Sequence, residues 1–467
     1  MDLVRYGSFV ITWMLLVQAS AAQTGSAPSA LPSAPQPTSA AQTPAPSSAV
    51  PTITLDEAIK RAQDADNAFA NARANAGVAQ SQRTIARSAL LPGLAYHNQF
   101  LYTQPATGGT TTAANGSATA PVRFIGNNAV HEYTSQGIAS ETIGVARIAE
   151  LGAAIAAALA AQARLEVARR GLVATVVADF YTAIAATQKT AIAQRALQES
   201  ADFGKNTQQR EAGGEVAHAD VVRADLEIQQ RQRELNDATL ADANARTELG
   251  IFLFPDPTSA YTPSGSLDRL PEMPTRDAIE SAARTGNPDL RAAIETLHSA
   301  EFDIKAARFG YLPDLSLNFL YGIDAPQFAT HGPDGTQNLG YAGFATLDIP
   351  IWDWFATHEH VKQSQLRRDE ARVNLTVTQR QLLASLDEFY REAEVAHRQL
   401  DLLEQSVQTS AESLRLSKLR YAAGEGTVLE VVDAQNSLVS AEAGRVDGAV
   451  RYVVALAGLQ TLTGSMP

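Results

Sequence analysis

The sequence predicts a mainly α-helical fold with a transmembrane β-barrel portion, long antiparallel coiled-coil helices and an internal two-fold repeat. Three observations predict it: a duplicated order of elements, an unbroken heptad seam, and two pairs of alternating strands inserted at matched places.

The ends come first. Residues 9–17, FVITWMLLV, form a short apolar run followed by Ala19-Ser20-Ala21, a small-residue pattern that suits a signal peptidase. The run is too short to span a bilayer, so residues 1–22 are expected to be a cleaved secretory signal. Residues 23–51 hold seven prolines among Ala, Ser, Thr and Gln and are expected to be a disordered or extended linker. The 467 residues carry 37 Lys+Arg against 50 Asp+Glu, a net charge of −13, with no basic run. That balance argues against nucleic acid as a partner. With no cysteine, an exported chain must be held by packing. No segment after the leader has about 18 consecutive apolar residues, and the Ala-rich stretch 148–168 is broken by Glu150, Gln162, Arg164 and Glu166. The remaining route across a membrane is a closed β-barrel, whose alternating strands leave a weaker signal.

The rest is written twice. Ala58-Ile59 recurs as Ala278-Ile279, Asn67 as Asn287, Ala86-Arg87 as Ala307-Arg308 and Leu91-Pro92 as Leu312-Pro313, at a spacing near 220. Gly214-Glu215 and Asp220-Val221-Val222 recur as Gly424-Glu425 and Glu430-Val431-Val432 at a spacing of 210. Two structural repeats are therefore expected, 52–271 and 272–467. In each, an amphipathic helix (about 55–90; about 275–311) is stopped by Pro92 or Pro313. A strand follows (94–104; 314–324), then a Gly- and Thr-rich loop, then a returning strand (131–143; 340–351). A very long helix and a shorter one close each copy, joined at Gly213-Gly214 or Gly424-Gly426.

From Leu382 the apolar series runs Leu386, Phe389, Ala393, Ala396, Leu400, Leu403, Val407, Ser410, Leu414, with spacings of four and three. That is a heptad seam and implies a left-handed coiled coil. The first half runs Val173, Val177, Phe180, Ile184, Thr187, Ala191 in the same phase. A rod has no use for inserted strand pairs, and a four-strand set leaves two open edges. In lipid those edges must be paired, so several copies must share one barrel.

The stretches ALLPGLAY, GYLPDLSLNF, TLDIPIWDW and RYAAGEGTVLEVVDAQNSLVSAE resemble the TolC-like outer-membrane efflux proteins, in the right order across residues 52–463. The resemblance implies a homotrimer in the outer membrane, with four strands per protomer in a shared β-barrel and the helices forming an α-barrel tunnel in the periplasm. It implies an exit duct for efflux or type I secretion, working with a periplasmic adaptor and an inner-membrane transporter, proton-driven or ATP-driven. It places Glu430 and Asp433 at the periplasmic constriction, where three copies would form carboxylate rings that attract cations. It pairs Asp220 with Tyr421 through a hydrogen bond that holds the entrance closed. A basic residue of the family pattern is replaced here by Gly426, and its partner position is Ala219.

No G-x-S-x-G, Walker loop or G-x-G-x-x-G sits in a usable context, so no catalytic residue, cofactor or metal is expected. His358-Glu359-His360 is the one histidine cluster, and residues two apart on a helix do not face one ion. Trp352 and Trp354 follow the last strand, where aromatics anchor a barrel at the membrane–water boundary. The alternative is a periplasmic coiled-coil adaptor, which would show one helical hairpin flanked by small β-domains.

Overall fold

A computed structural model describes residues 51–103, 110–111, 120–121 and 131–464. The expected signal, and the linker apart from Pro51, lie outside these residues.

Among the described residues, eight helices and four long strands follow one another in a repeated order. They are α1 (Leu55–Ala65), α2 (Asn67–Ser88), β1 (Gly93–Tyr102), β2 (His131–Ile143), α3 (Val145–Ala212) and α4 (His218–Leu253), then α5 (Arg276–Gly286), α6 (Pro288–Phe309), β3 (Asp314–Ala325), β4 (Leu339–Asp348), α7 (Ala356–Ala422) and α8 (Val428–Thr463). The strands lie within three residues of the predicted bounds. Each predicted first helix is two helices. Asp66 and Asn287 break them because each side chain caps the helix that follows, accepting from Phe69 N at 2.6 Å and Leu290 N at 2.8 Å. Pro288 at the first helical position fixes the second break.

The four strands form one antiparallel sheet in the order β1-β2-β3-β4. The register puts Leu94, Tyr96, Phe100 and Tyr102 of β1 on the same face as Leu317, Phe319 and Tyr321 of β3 and Tyr341 and Leu347 of β4. All nine are exposed. An apolar surface this extensive is rare on a soluble monomer. The opposite face carries His97, Gln99, Thr134, Gln136, Ser316, Asn318 and Thr346. A one-residue slip would exchange the faces, so the alternation pins the register. No Lys or Arg occurs in the four strands.

The helices follow the strands. α2 packs on α3, α3 on α6 and α6 on α7, the same lateral order as the strands that precede or follow them. Further from the sheet, α4 packs on α3, α3 on α8 and α8 on α7. The 68 residues of α3 and 67 of α7 each span about 100 Å at 1.5 Å per residue. By length and composition α3 alone among the described helices could pass for a membrane span. It is instead a packed helix: its Gly152 lies against the Phe302 ring of α6, and Ser299 of α6 donates to its Ala153 carbonyl at 3.2 Å.

Two cores hold the middle. Phe180, Ile184, Leu249 and Ile53 are buried in one, and Leu382, Leu386, Ala393, Ala396, Tyr452 and Leu459 in the other. Each fully buried side chain of Leu or Phe size contributes roughly 2 kcal/mol. The α7 heptads therefore face α8 as predicted. The first-half series departs at its end, where Ala191 is exposed and burial passes to Ile192 and Ala193. An α-helix drifts about 20° per heptad from a 3.5-residue repeat, and α3 packs on several neighbours rather than along one seam. Residues Thr52–Ile53 pair in parallel with Thr262–Pro263, an interaction without a periodic signature.

Candidate functional site

The end of the bundle furthest from the sheet is made by two turns, α3 to α4 and α7 to α8. Both are built alike. Gly214 (φ 77°) and Gly424 (φ 79°) take the left-handed conformation that glycine adopts without a Cβ clash. Glu215 N donates to the Arg210 carbonyl at 2.9 Å, and Glu425 N donates to the Arg420 carbonyl at the same distance. Both helices thus end in the same six-to-one closure, a Schellman-type cap. Thr427 then caps α8, accepting from Glu430 N at 3.3 Å.

Glu430 and Asp433 both lie near the start of α8, three residues apart and on neighbouring turns of one face. Their electrostatics differ. Glu430 accepts from Arg420 Nη1 at 2.9 Å, and its charge is largely offset. Asp433 is exposed and makes no ion pair among the described residues.

The expected Asp220–Tyr421 hydrogen bond is not the one made within the chain. Tyr421 is buried, its ring 5.0 Å from that of Phe203, and its hydroxyl donates to Thr207 Oγ1 at 3.2 Å. Asp220 sits half-buried in the first turn of α4. The apolar ring follows Phe203 and Val431 into the α3–α7–α8 core, which points the hydroxyl at α3 rather than at α4.

Arg210 ties the two turns. Its Nη1 donates to the Tyr421 carbonyl at 2.5 Å and its Nη2 to the Ala422 carbonyl at 3.5 Å, while its guanidinium lies 4.9 Å from the centre of the Tyr421 ring. Its Nε donates to Glu215 at 2.8 Å. A cation at the C-terminal carbonyls of α7 is favoured by the helix dipole as well. Position 210 precedes the turn glycine by four, as Arg420 precedes Gly424. The signal was in the repeat, but the carbonyl partners are not visible in sequence.

Higher on the same helices, buried Arg231 pairs with Glu227 at 2.8 Å and Glu234 at 2.6 Å and reaches Asn436 of α8. Burial pushes the Glu227 carboxyl above its ordinary value, against the pull of Arg231. This network ties α4 to α8.

At the sheet end, Trp352 and Trp354 are 64% and 83% exposed, their rings 5.8 Å apart, with Phe355 5.2 Å from Trp352. Trp354 and Phe355 both have positive φ, 55° and 66°. Bulky residues pay strain there, and Asp353 offsets it by accepting from Thr357 N at 2.7 Å, which starts α7. His358, Glu359 and His360 are all exposed on that first turn.

Residues 280–465 match the family described as "Outer membrane efflux protein". Over that stretch the chain is similar to the outer membrane efflux proteins. It is 24% identical over 310 residues to outer membrane protein OprJ of Pseudomonas aeruginosa, covering 66% of this chain and 64% of that one. It is 24% identical over 303 residues to the cobalt-zinc-cadmium resistance protein CzcC of Cupriavidus metallidurans, covering 64% of this chain and 69% of the relative. The match to OprJ thus spans a little under two thirds of that protein's length. Among solved structures, the CmeC outer membrane channel of Campylobacter jejuni superposes with a TM-score of 0.73 at 18% identity, covering 88% of this chain and 85% of that one. The open-state MtrE outer membrane channel of Neisseria gonorrhoeae gives 0.70 at 21% identity, covering 88% of each. At these identities the structural likeness establishes the fold alone: long helices continuous with a small sheet, as in these outer membrane channel structures.

Proposed function

We propose that the chain is one protomer of an outer-membrane channel that serves as the exit duct of an efflux or type I secretion system. One observation carries this reading. Strands β1-β2-β3-β4 and helices α2-α3-α6-α7 share one lateral order, and both layers are open at the same two margins. β1 and β4 each pair on one side only among the described residues. At the helical margins, α2 exposes Val78 and Ile85, and α7 exposes Leu366, Val373 and Val377. A sheet with an apolar outer face cannot leave its backbone edges bare in hydrocarbon. Joining β4 of one copy to β1 of the next, and α7 to α2, satisfies both layers at once.

Three copies make the closed assembly, a homotrimer with a β-barrel in the outer membrane and an α-barrel in the periplasm. The two halves of the chain are duplicated units, supported by the twin turns and the recurring element order. Trp352 and Trp354 sit at the periplasmic boundary of the barrel and contact outer-membrane lipid. Asp433, and more weakly the Arg420-paired Glu430, ring the periplasmic entrance, with Asp220 and Tyr421 beside it. A periplasmic adaptor and an inner-membrane transporter load the duct, which passes small molecules or polypeptides and performs no catalysis. The adaptor reading has no use for an apolar four-strand sheet.

Membrane fractionation and planar-bilayer recording test the proposal. The chain should stay with the outer membrane through a high-salt wash and form discrete cation-preferring channels. A monomer soluble without detergent overturns it.

A further inference from the structure

One groove on the apolar face of the sheet is unlike the rest of that face. It has a volume of about 420 Å³ and runs between two cross-strand rows. One row is Ala139, Phe319 and Gly343, and the next is Glu141, Leu317 and Ala345. Small residues on either side of Phe319, and Ala345 beside Leu317, leave the furrow.

Glu141 is out of place here. It lies on the face that carries the exposed Leu and aromatic side chains, and its row contains no polar partner. Its Oε2 atom is buried and has no hydrogen-bond partner. The nearby Arg147 donates to the Ala89 carbonyl instead, at 2.8 Å. A carboxylate on a lipid-facing wall is unfavourable, least so close to the boundary. Glu141 stands two residues from the helix-side end of β2, the end at which Trp352 and Trp354 follow β4. At that level an acidic group can meet lipid headgroups while the groove beside it receives a chain.

We propose that this groove holds a phospholipid with a primary-ammonium headgroup, its ammonium on Glu141 and an acyl chain along Phe319. The charge match decides between lipids: an ammonium with N–H donors satisfies the bare carboxylate oxygen, an anionic glycerol headgroup is repelled, and a trimethylated ammonium offers no hydrogen bond. The inference rests on the reading of the sheet as a barrel wall.

The test is native mass spectrometry of the purified full-length protein in detergent, exchanged with phosphatidylethanolamine, phosphatidylglycerol or phosphatidylcholine. Wild type should retain the ethanolamine lipid about tenfold over the other two. Glu141→Gln should abolish that preference, bringing retention of the ethanolamine lipid down to that of the other two, while leaving assembly unchanged. Gly343→Leu should lower retention of all three, since a side chain at Gly343 meets open space in the fold and enters only the groove. Equal retention of the three lipids by wild type, or an undiminished preference in Glu141→Gln, overturns the inference while the barrel stands. A wild-type protein that needs no detergent and takes up no lipid overturns the barrel reading itself.

Discussion

The guanidinium of Arg210 lies 4.9 Å from the centre of the Tyr421 ring and donates to the carbonyl of the same residue. Through this contact the two inter-helix turns, 210 residues apart in sequence, form one body. Arg210→Ala should free them. Hydrogen exchange should quicken at both turns, residues 209–215 and 419–426, and not in α6. Arg210→Lys should recover little, since a compact ammonium cannot serve two carbonyls, Glu215 and a ring face together. Exchange that quickens at the first turn alone would mean that the turns are not coupled.

The hydroxyl of Tyr421 has Thr207 as its partner. Tyr421→Phe should therefore cost about 0.5–1.5 kcal/mol and raise conductance or antibiotic influx by loosening the α3–α7 contact. Thr207→Val should reproduce the effect, and Asp220→Asn should not. The opposite ranking of the last two variants, read from influx and thermal melts, would restore the Asp220–Tyr421 pair.

Selectivity should depend unequally on the two carboxylates of α8. Arg420 pairs with Glu430, whereas Asp433 makes no ion pair among the described residues. Asp433→Asn should lower cation preference more than Glu430→Gln, and the double variant should lower it furthest. Arg420→Gln should raise it. Reversal potentials in planar bilayers under a salt gradient decide, and unchanged potentials in the double variant would remove both groups from the pore.

The α7–α8 seam is tight at Gly458, where an added Cβ would come within 2.8 Å of the Phe389 ring. Gly458→Ala should cost about 1–3 kcal/mol through overpacking, measurable as a lower midpoint of denaturation. Phe389→Leu should relieve part of that cost in the double variant, because the clash is with the ring.

Acid stability should depend on Glu166. The guanidinium of Arg169, hydrogen-bonded to it, holds its carboxyl down to about 2, with Arg170 adding to the effect. A carboxyl depressed in the folded state stabilises above its unfolded value, and that contribution is lost as pH falls from about 4.5 towards 2. At this partly exposed site the contribution is about 1 kcal/mol. Glu166→Gln should lower stability by about that amount at neutral pH, change it little near pH 2, and so flatten the acid limb of the stability profile.

Much of the architecture is legible in the sequence because it is periodic. The strand alternation in 314–324 reports one apolar face, exposed within the chain, and the heptads from Leu382 report one buried seam; the structure keeps both. The breaks at Asp66 and Asn287 were also legible in principle, as a capping residue and, at the second, an Asn-Pro start. The pairing of residues 52–53 with 262–263 left no pattern to read. At the candidate site Glu430 and Asp433 were singled out by the family resemblance, but the ion pair made by Glu430 was not legible. Arg420 and Arg210 act through partners that only the folded turns bring within reach.

A single residue, Gly144, separates β2 from α3, and four residues each separate α2 from β1 and α6 from β3. Only the β4–α7 link, residues 349–355, is longer, so in the proposed assembly most of the wall passes from strand to helix with hardly any intervening chain. A solute inside meets one continuous lining from the first turn of α3 to the far rim of the sheet, with nowhere to leak sideways into the space it is leaving.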